Sequence, residues 1–75
     1  MHFEGVDFSN ANMQGAILKG RNLSRGNLSG ANLTNAQLNS AILRLANLQN
    51  AGLSNADCTG CTFTEANLSG SERAN

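Results

Sequence analysis

Apolar residues recur along this chain at a period that belongs to neither a helix nor a plain strand. From Phe3 onward every fifth residue is apolar: Phe3, Phe8, Met13, Leu18, Leu23, Leu28, Leu33, Leu38, Leu43, Leu48, Leu53, Cys58, Phe63 and Leu68, until Arg73 breaks the series. Two residues before each of these 15 positions lies a second, smaller one, and 9 of the 15 are Ala. The other three places in each quintet are polar or Gly, except for Ile17, Ile42, Leu45 and Ala74.

A helix does not fit this pattern. A step of five residues rotates a helix by about 500°, so the leucines would spread around the whole cylinder, and the abundant Asn, Ser and Gly oppose helix as well. On an extended segment, residues two apart point to one face, so each quintet aims a small and a large side chain inward. The next inward pair begins three residues later and has the wrong parity unless the chain turns, so a corner is expected in every quintet. The place two after the large residue holds Gly5, Asn10, Gly15, Gly20, Gly30, Asn35, Asn50, Asn55, Gly60 and Gly70, residue types that tolerate the positive φ of tight turns. Pro, which would remove a ladder N–H, does not occur. A short unit that cannot close a core alone, repeated from end to end, reads as a solenoid.

Quintets such as ANLTN (31–35), ANLQN (46–50) and ANLSG (66–70) resemble the pentapeptide-repeat family, whose pattern is A(D/N)LXX, and the resemblance runs through essentially the whole chain. It implies an all-β fold, a right-handed quadrilateral parallel β-helix with four quintets per coil. The chain then makes one domain, residues 1–75, of just under four coils, about 18 Å long at the usual strand spacing. The clean pattern stops near Gly70, and 71–75 is expected to be a loose tail. The family is especially abundant in cyanobacteria, which implies a bacterial source. Residues twenty apart should stack, giving the inward columns Phe3, Leu23, Leu43, Phe63 and Phe8, Leu28, Leu48, Leu68. The outward column Asp7, Asn27, Asn47, Asn67 is expected to exchange amide hydrogen bonds from coil to coil.

Charge adds little. Five basic and five acidic residues cancel to a net charge of zero, which leaves no field directed at nucleic acid or an anionic membrane. There is no signal-peptide pattern and no apolar run of membrane-span length, so the chain reads as soluble and cytoplasmic. Cys58 and Cys61 form a CTGC motif, yet both fall on inward positions where a small hydrophobe suffices. Zinc needs about four ligands, and the only His, His2, lies at the far end of the chain. Arg21 occupies an inward small-residue position, so the first coil is expected to be frayed, or the guanidinium to escape to solvent. Ile42 and Leu45, with Arg44 between them, mark a small outward patch.

Nothing in the sequence forms a cleft with a nucleophile, a base and clustered carboxylates. No catalytic, cofactor-binding or metal residue is assigned, no cofactor is expected, and no small-molecule substrate, nucleic acid or membrane is expected as a partner. The reading is a non-enzymatic structural or protein-interaction module. The repeat register reaches Met1 and leaves no room for a cap. An end, the N-terminal one first, is therefore expected to stack on another copy or on another pentapeptide-repeat chain. The resemblance also implies an alternative, since some family members mimic DNA and bind type II topoisomerases. Such mimics are acidic rods, and this chain is neutral and short.

Overall fold

Every fifth residue from Gly5 to Gly70 lies in the left-handed region of backbone space, with φ between 58° and 73°. At each corner the N–H three residues after the large apolar residue donates back to that residue's carbonyl. Examples are Val6 to Phe3 at 3.0 Å, Ala41 to Leu38 at 2.8 Å and Ala66 to Phe63 at 2.9 Å. A turn with this bond and a left-handed third residue is the type II arrangement. The expected corner is therefore present in every quintet of the computed structural model, which describes residues 3–72.

Between corners each quintet makes a single parallel bridge to its neighbour, and the corner residue adds a further bond between coils, as Asn10 N–H does to the Ser29 carbonyl at 2.8 Å. Parallel bridges join Asp7 to Asn27, Asn27 to Asn47 and Asn47 to Asn67, and likewise Ile17 to Gln37 and Gln37 to Asp57. Each step is twenty residues, so one coil takes four quintets. The rungs are short and alternate in direction: Leu33 N–H donates to the Gly52 carbonyl at 2.7 Å, and Gly52 N–H donates to the Ala31 carbonyl at 2.9 Å. The described residues contain no helix and no strand longer than an isolated bridge.

The inward side chains stack as the columns require. Leu23, Leu28, Leu33, Leu38, Leu43 and Leu48 are all 0% exposed, and Ala31, Ala36, Ala41, Ala46 and Ala51 sit beside them, equally buried. Large and small side chains alternate around the coil, and the buried core is made of Leu and Ala. Phe3, Phe8 and Met13 on one side and Cys58, Cys61 and Phe63 on the other are only partly buried against this core. The whole measures 23 × 20 × 19 Å, about as wide as it is long.

The first coil is in register, so of the two outcomes expected at Arg21 fraying does not occur and the side chain is exposed instead. Phe8, Met13 and Leu18 N–H groups donate to the carbonyls of Asn27, Asn32 and Gln37 at 2.7, 2.7 and 2.8 Å. At the other end the hydrogen bonding runs past Gly70: Glu72 N–H donates to the Ala51 carbonyl at 3.0 Å, and Ser54 Oγ donates to a Glu72 carboxylate oxygen at 2.9 Å. Ser71 and Glu72 are thus tied to the coil. The remainder of the expected tail, 73–75 with Arg73, lies outside the described residues.

The Asn column is aligned, but its side chains bond along the chain rather than between coils. Asn27 Oδ1 accepts from Ser29 N–H at 3.1 Å and from Ser29 Oγ at 2.7 Å, and Asn47 and Asn67 Oδ1 accept from Gln49 and Ser69 N–H, each at 3.0 Å. Asp7 accepts from Ser9 in the same way. The N–H two residues downstream is brought to about 3 Å by the corner itself, closer than the roughly 4.8 Å between coils, so this Asx-turn wins. Only the acceptor oxygen is used. That is why Asp and Asn are interchangeable here.

Leu43→Ala should lose about 2–5 kcal/mol of unfolding free energy, because the site is sealed by coils above and below and cannot collapse. Ile17→Ala, on an outward side chain that is 69% exposed, should change stability by no more than about 0.5 kcal/mol. Urea denaturation of the two variants checks the contrast.

Candidate functional site

Three places depart from the repeat, and each is traceable to particular residues. The first is the N-terminal end. The Phe3 and Phe8 rings lie 5.9 Å apart at 50°, and the Arg21 guanidinium sits 5.8 Å from the Phe3 ring centroid. Arg21 holds the inward small-residue position, yet its side chain is exposed. Its backbone keeps its place in the coil: the N–H closes the corner on the Leu18 carbonyl at 3.1 Å, and the carbonyl accepts the Ile42 N–H rung at 2.9 Å. The long side chain leaves the column at its open end, so the guanidinium lies over the Phe3 ring and stays exposed. A cation over an exposed ring contributes about 0.5–1 kcal/mol.

The second place is the CTGC corner. Cys61 N–H donates to the Cys58 carbonyl at 3.0 Å, closing a turn with Gly60 at φ 73°. Both thiols are free and half-buried. The Cys61 thiol donates to the Leu38 carbonyl at 2.8 Å. Burial pushes the Cys58 thiol up to about 12, and the neighbouring Cys61 and Asp57 add to the shift. Cys61 is also raised, chiefly by burial. Reactive thiols are depressed by positive surroundings; these two are held neutral beside apolar walls and a carboxylate. No group of three or more His, Cys, Asp or Glu able to hold a metal occurs among the described residues.

The third place was not foreseen. Ile42 is 38% exposed and Leu45 is half-buried on the same coil, as the outward patch required. Leu45, however, is also one of only four corner residues that are neither Gly nor Asn: Arg25, Ser40, Leu45 and Glu65, with φ of 60°, 64°, 60° and 58°. An L-residue with a full side chain costs about 1–2 kcal/mol in this region. Arg25, Leu45 and Glu65 are twenty apart and therefore share one corner of the solenoid. Arg25 N–H donates to the Arg44 carbonyl at 2.8 Å, and Leu45 N–H to the Thr64 carbonyl at 2.9 Å. Arg25 also pairs with Glu4 on the coil above, at 3.3 Å between exposed groups. The signal was present in the sequence as the gaps in the Gly/Asn series at 25, 45 and 65.

A family model described as pentapeptide repeats matches this chain with 8 copies, over residues 1–25, 18–50 and 41–72. No curated protein matches. Among solved structures, a pentapeptide repeat protein from Nostoc Pcc 7120 is 38% identical, with a TM-score of 0.65 over 91% of this chain and 66% of its own. One from the cyanobacterium Cyanothece 51142 is 42% identical, with a TM-score of 0.60 over 88% of this chain and 48% of its own. One from the Arabidopsis thaliana thylakoid lumen is 29% identical, with a TM-score of 0.52 over 95% of this chain and 63% of its own. The chain thus spans about two thirds of the length of the Nostoc protein and about half that of the Cyanothece one.

Two pH-dependent outcomes follow from the geometry. A thiol raised in the fold contributes stability below its ordinary range and loses it as the pH climbs toward 12. Iodoacetamide at pH 8 should therefore modify the native thiols about 100-fold or more slowly than the urea-unfolded ones; equal rates would place the sulfurs in solvent. The Ser9 and Thr59 hydrogen bonds hold Asp7 and Asp57 below the usual carboxylate range. The stability they contribute is present at neutral pH and lost as the pH falls through those depressed values. Acid titration of Asp7→Asn/Asp57→Asn should show a flatter stability curve below pH ~4 than the parent, since Asn keeps the acceptor oxygen without the titration.

Proposed function

Because the chain belongs to the pentapeptide-repeat family, and so folds as a right-handed β-helix, we propose that it serves as a non-enzymatic structural and protein-interaction module. In this reading the cross-section is quadrilateral with just under four coils, and a coil end stacks on another copy or on another pentapeptide-repeat chain. The module works in the cytoplasm, where two free thiols are at home. Neither nucleic acid, membrane nor a small-molecule substrate is its partner.

The observation that carries this reading is the gradient of burial along the columns. Leu23, Leu43, Leu28 and Leu48 are 0% exposed, whereas Leu68 at the last coil is 38% exposed and Phe3, Phe8 and Met13 are only partly covered. The rungs support the same reading. Gln37 N–H donates up to the Ala16 carbonyl at 2.8 Å; the equivalent N–H one coil earlier, on Ile17, is directed out of the N-terminal end, together with the Ile17 carbonyl. Edge groups of this kind recruit another strand. An enzyme reading has no support in clustered acid–base groups, and the zero net charge does not suit a DNA mimic.

Light scattering on a sizing column at several concentrations should find a dimer or a larger assembly. Ile17→Pro removes an outward N–H that no rung within the chain uses, so it should reduce the assembly to monomer while leaving the melting temperature within about 3 °C of the parent. A parent that is monomeric across the range would overturn end stacking.

A further inference from the structure

We propose that the end stack is polar: the N-terminal end of one chain seats on the C-terminal end of a second copy, and chains add head to tail. This rests on the end stacking argued above and names the face that each end takes. The first ground is the direction of the hydrogen bonds. In the interior quintets the N–H groups of the large apolar residue and of the corner residue point toward the C-terminal end, as Leu33 to the Gly52 carbonyl at 2.7 Å and Asn35 to the Ser54 carbonyl at 2.9 Å. One N–H between coils points the other way, as Asn32 to the Ala11 carbonyl at 2.9 Å. A C-terminal face therefore offers two donors and one acceptor per quintet, and an N-terminal face two acceptors and one donor. Among the described residues, the N–H groups of Cys58, Gly60, Phe63 and Glu65 have no rung, nor do the carbonyls of Asp7, Ser9, Asn12 and Gln14. An end laid on its own kind makes at most two bonds per quintet and sets the remaining carbonyls, or the remaining N–H groups, against each other. Laid on the opposite kind it makes all three, as the interior coils do.

The second ground is charge. The last coil, residues 53–72, carries Asp57, Glu65 and Glu72 and no Lys or Arg, whereas the first, residues 3–22, carries Lys19 and Arg21 beside Glu4 and Asp7. Glu4 is already paired with Arg25, and Asp7 is engaged by Ser9. Lys19 and Arg21 are exposed, and Arg21 lies over Phe3 at the open end. Two C-terminal ends would bring two sets of three carboxylates together, and two N-terminal ends would bring the cations together. Only the mixed contact sets Lys19 and Arg21 against the acidic coil. That contact also covers the apolar columns at both ends, Phe3, Phe8 and Met13 on one side and Phe63 and the 38% exposed Leu68 on the other. The step runs along the solenoid axis and joins unlike faces, so it builds an open rod rather than a closed dimer.

The test uses two blocked chains in sedimentation velocity, with thermal melts to confirm that each is folded. Ile17→Pro removes an outward N–H of the N-terminal face, and Cys58→Pro removes one of the C-terminal face and puts the ring in its place. Each alone should be monomeric, and an equimolar mixture should give a species of two chains and no larger, while the parent grows with concentration. A dimer of Ile17→Pro alone would be a pair of C-terminal ends, and a dimer of Cys58→Pro alone a pair of N-terminal ends. Either overturns the polarity and leaves end stacking in place, as does a mixture that stays monomeric while the parent assembles. A parent monomeric throughout removes end stacking itself. Carbodiimide cross-linking of the parent needs neither variant. With isotope-labelled and unlabelled chains mixed, links between chains should join Lys19, the only lysine, to Asp57, Glu65 or Glu72. Links between chains from Lys19 to Glu4 or Asp7 in place of these overturn the proposal.

Discussion

A chain that must aim two side chains inward from every five residues cannot stay straight, and the left-handed corner is the device that resolves the parity. It recurs at all fourteen positions from Gly5 to Gly70, each closed by a backbone bond of about 3 Å to the large apolar residue. Four corners return the chain above its own start, so the rungs join residues twenty apart. Once that return is fixed, the leucine columns, the alternating rungs and the outward polar faces follow. None of them could form on its own, because a single quintet has no core and a single coil has unpaired edges on both sides.

The polar chemistry of the repeat answers to the same corner. Asn or Asp before the large residue accepts the N–H just after it, at 3.0–3.2 Å from Asp7, Asn12 and Asn22 through to Asn67. This bond satisfies a backbone donor that the turn leaves without a rung, which is the ordinary work of an Asx-turn. Since it acts within one quintet, the coils need no side-chain cooperation to stack, and the outer surface is left free to vary. Charge is therefore unconstrained by the fold, and where it appears in a pattern the pattern has another origin.

Most of this architecture was legible in the sequence because the code is one-dimensional. Period five, the small–large inward pair and the Gly/Asn corner gave the solenoid, and the quintet signature gave the family. The rest was not legible for physical reasons. Residues twenty apart stack, which suggests an Asn ladder, but the corner brings the N–H two residues downstream nearer than the next coil and the Asx-turn takes the oxygen. At Arg21 the sequence leaves open whether the coil frays or the guanidinium escapes, and a side chain with three methylenes at an open edge leaves the column while the backbone stays. At Arg25, Leu45 and Glu65 the corner keeps its left-handed φ without Gly or Asn, so the corner is set by the repeat and not by residue type alone. Residues that break a local preference without breaking the fold are the ones that carry information beyond it.

The position of those exceptions is what separates function from decoration in a protein without a cleft. A β-helix offers a partner only its ends and its sides. The ends are dictated by geometry, for any stack of coils exposes rungs and part of its apolar columns there, as the partly covered Phe3, Phe8 and Met13 do. The sides answer only to the Asx-turns on them, which need an acceptor oxygen such as Asn27 and Asn47 supply and nothing more. The rest of each side can therefore change while the coil stays the same, and a role in this family is written on surfaces that the repeat leaves open.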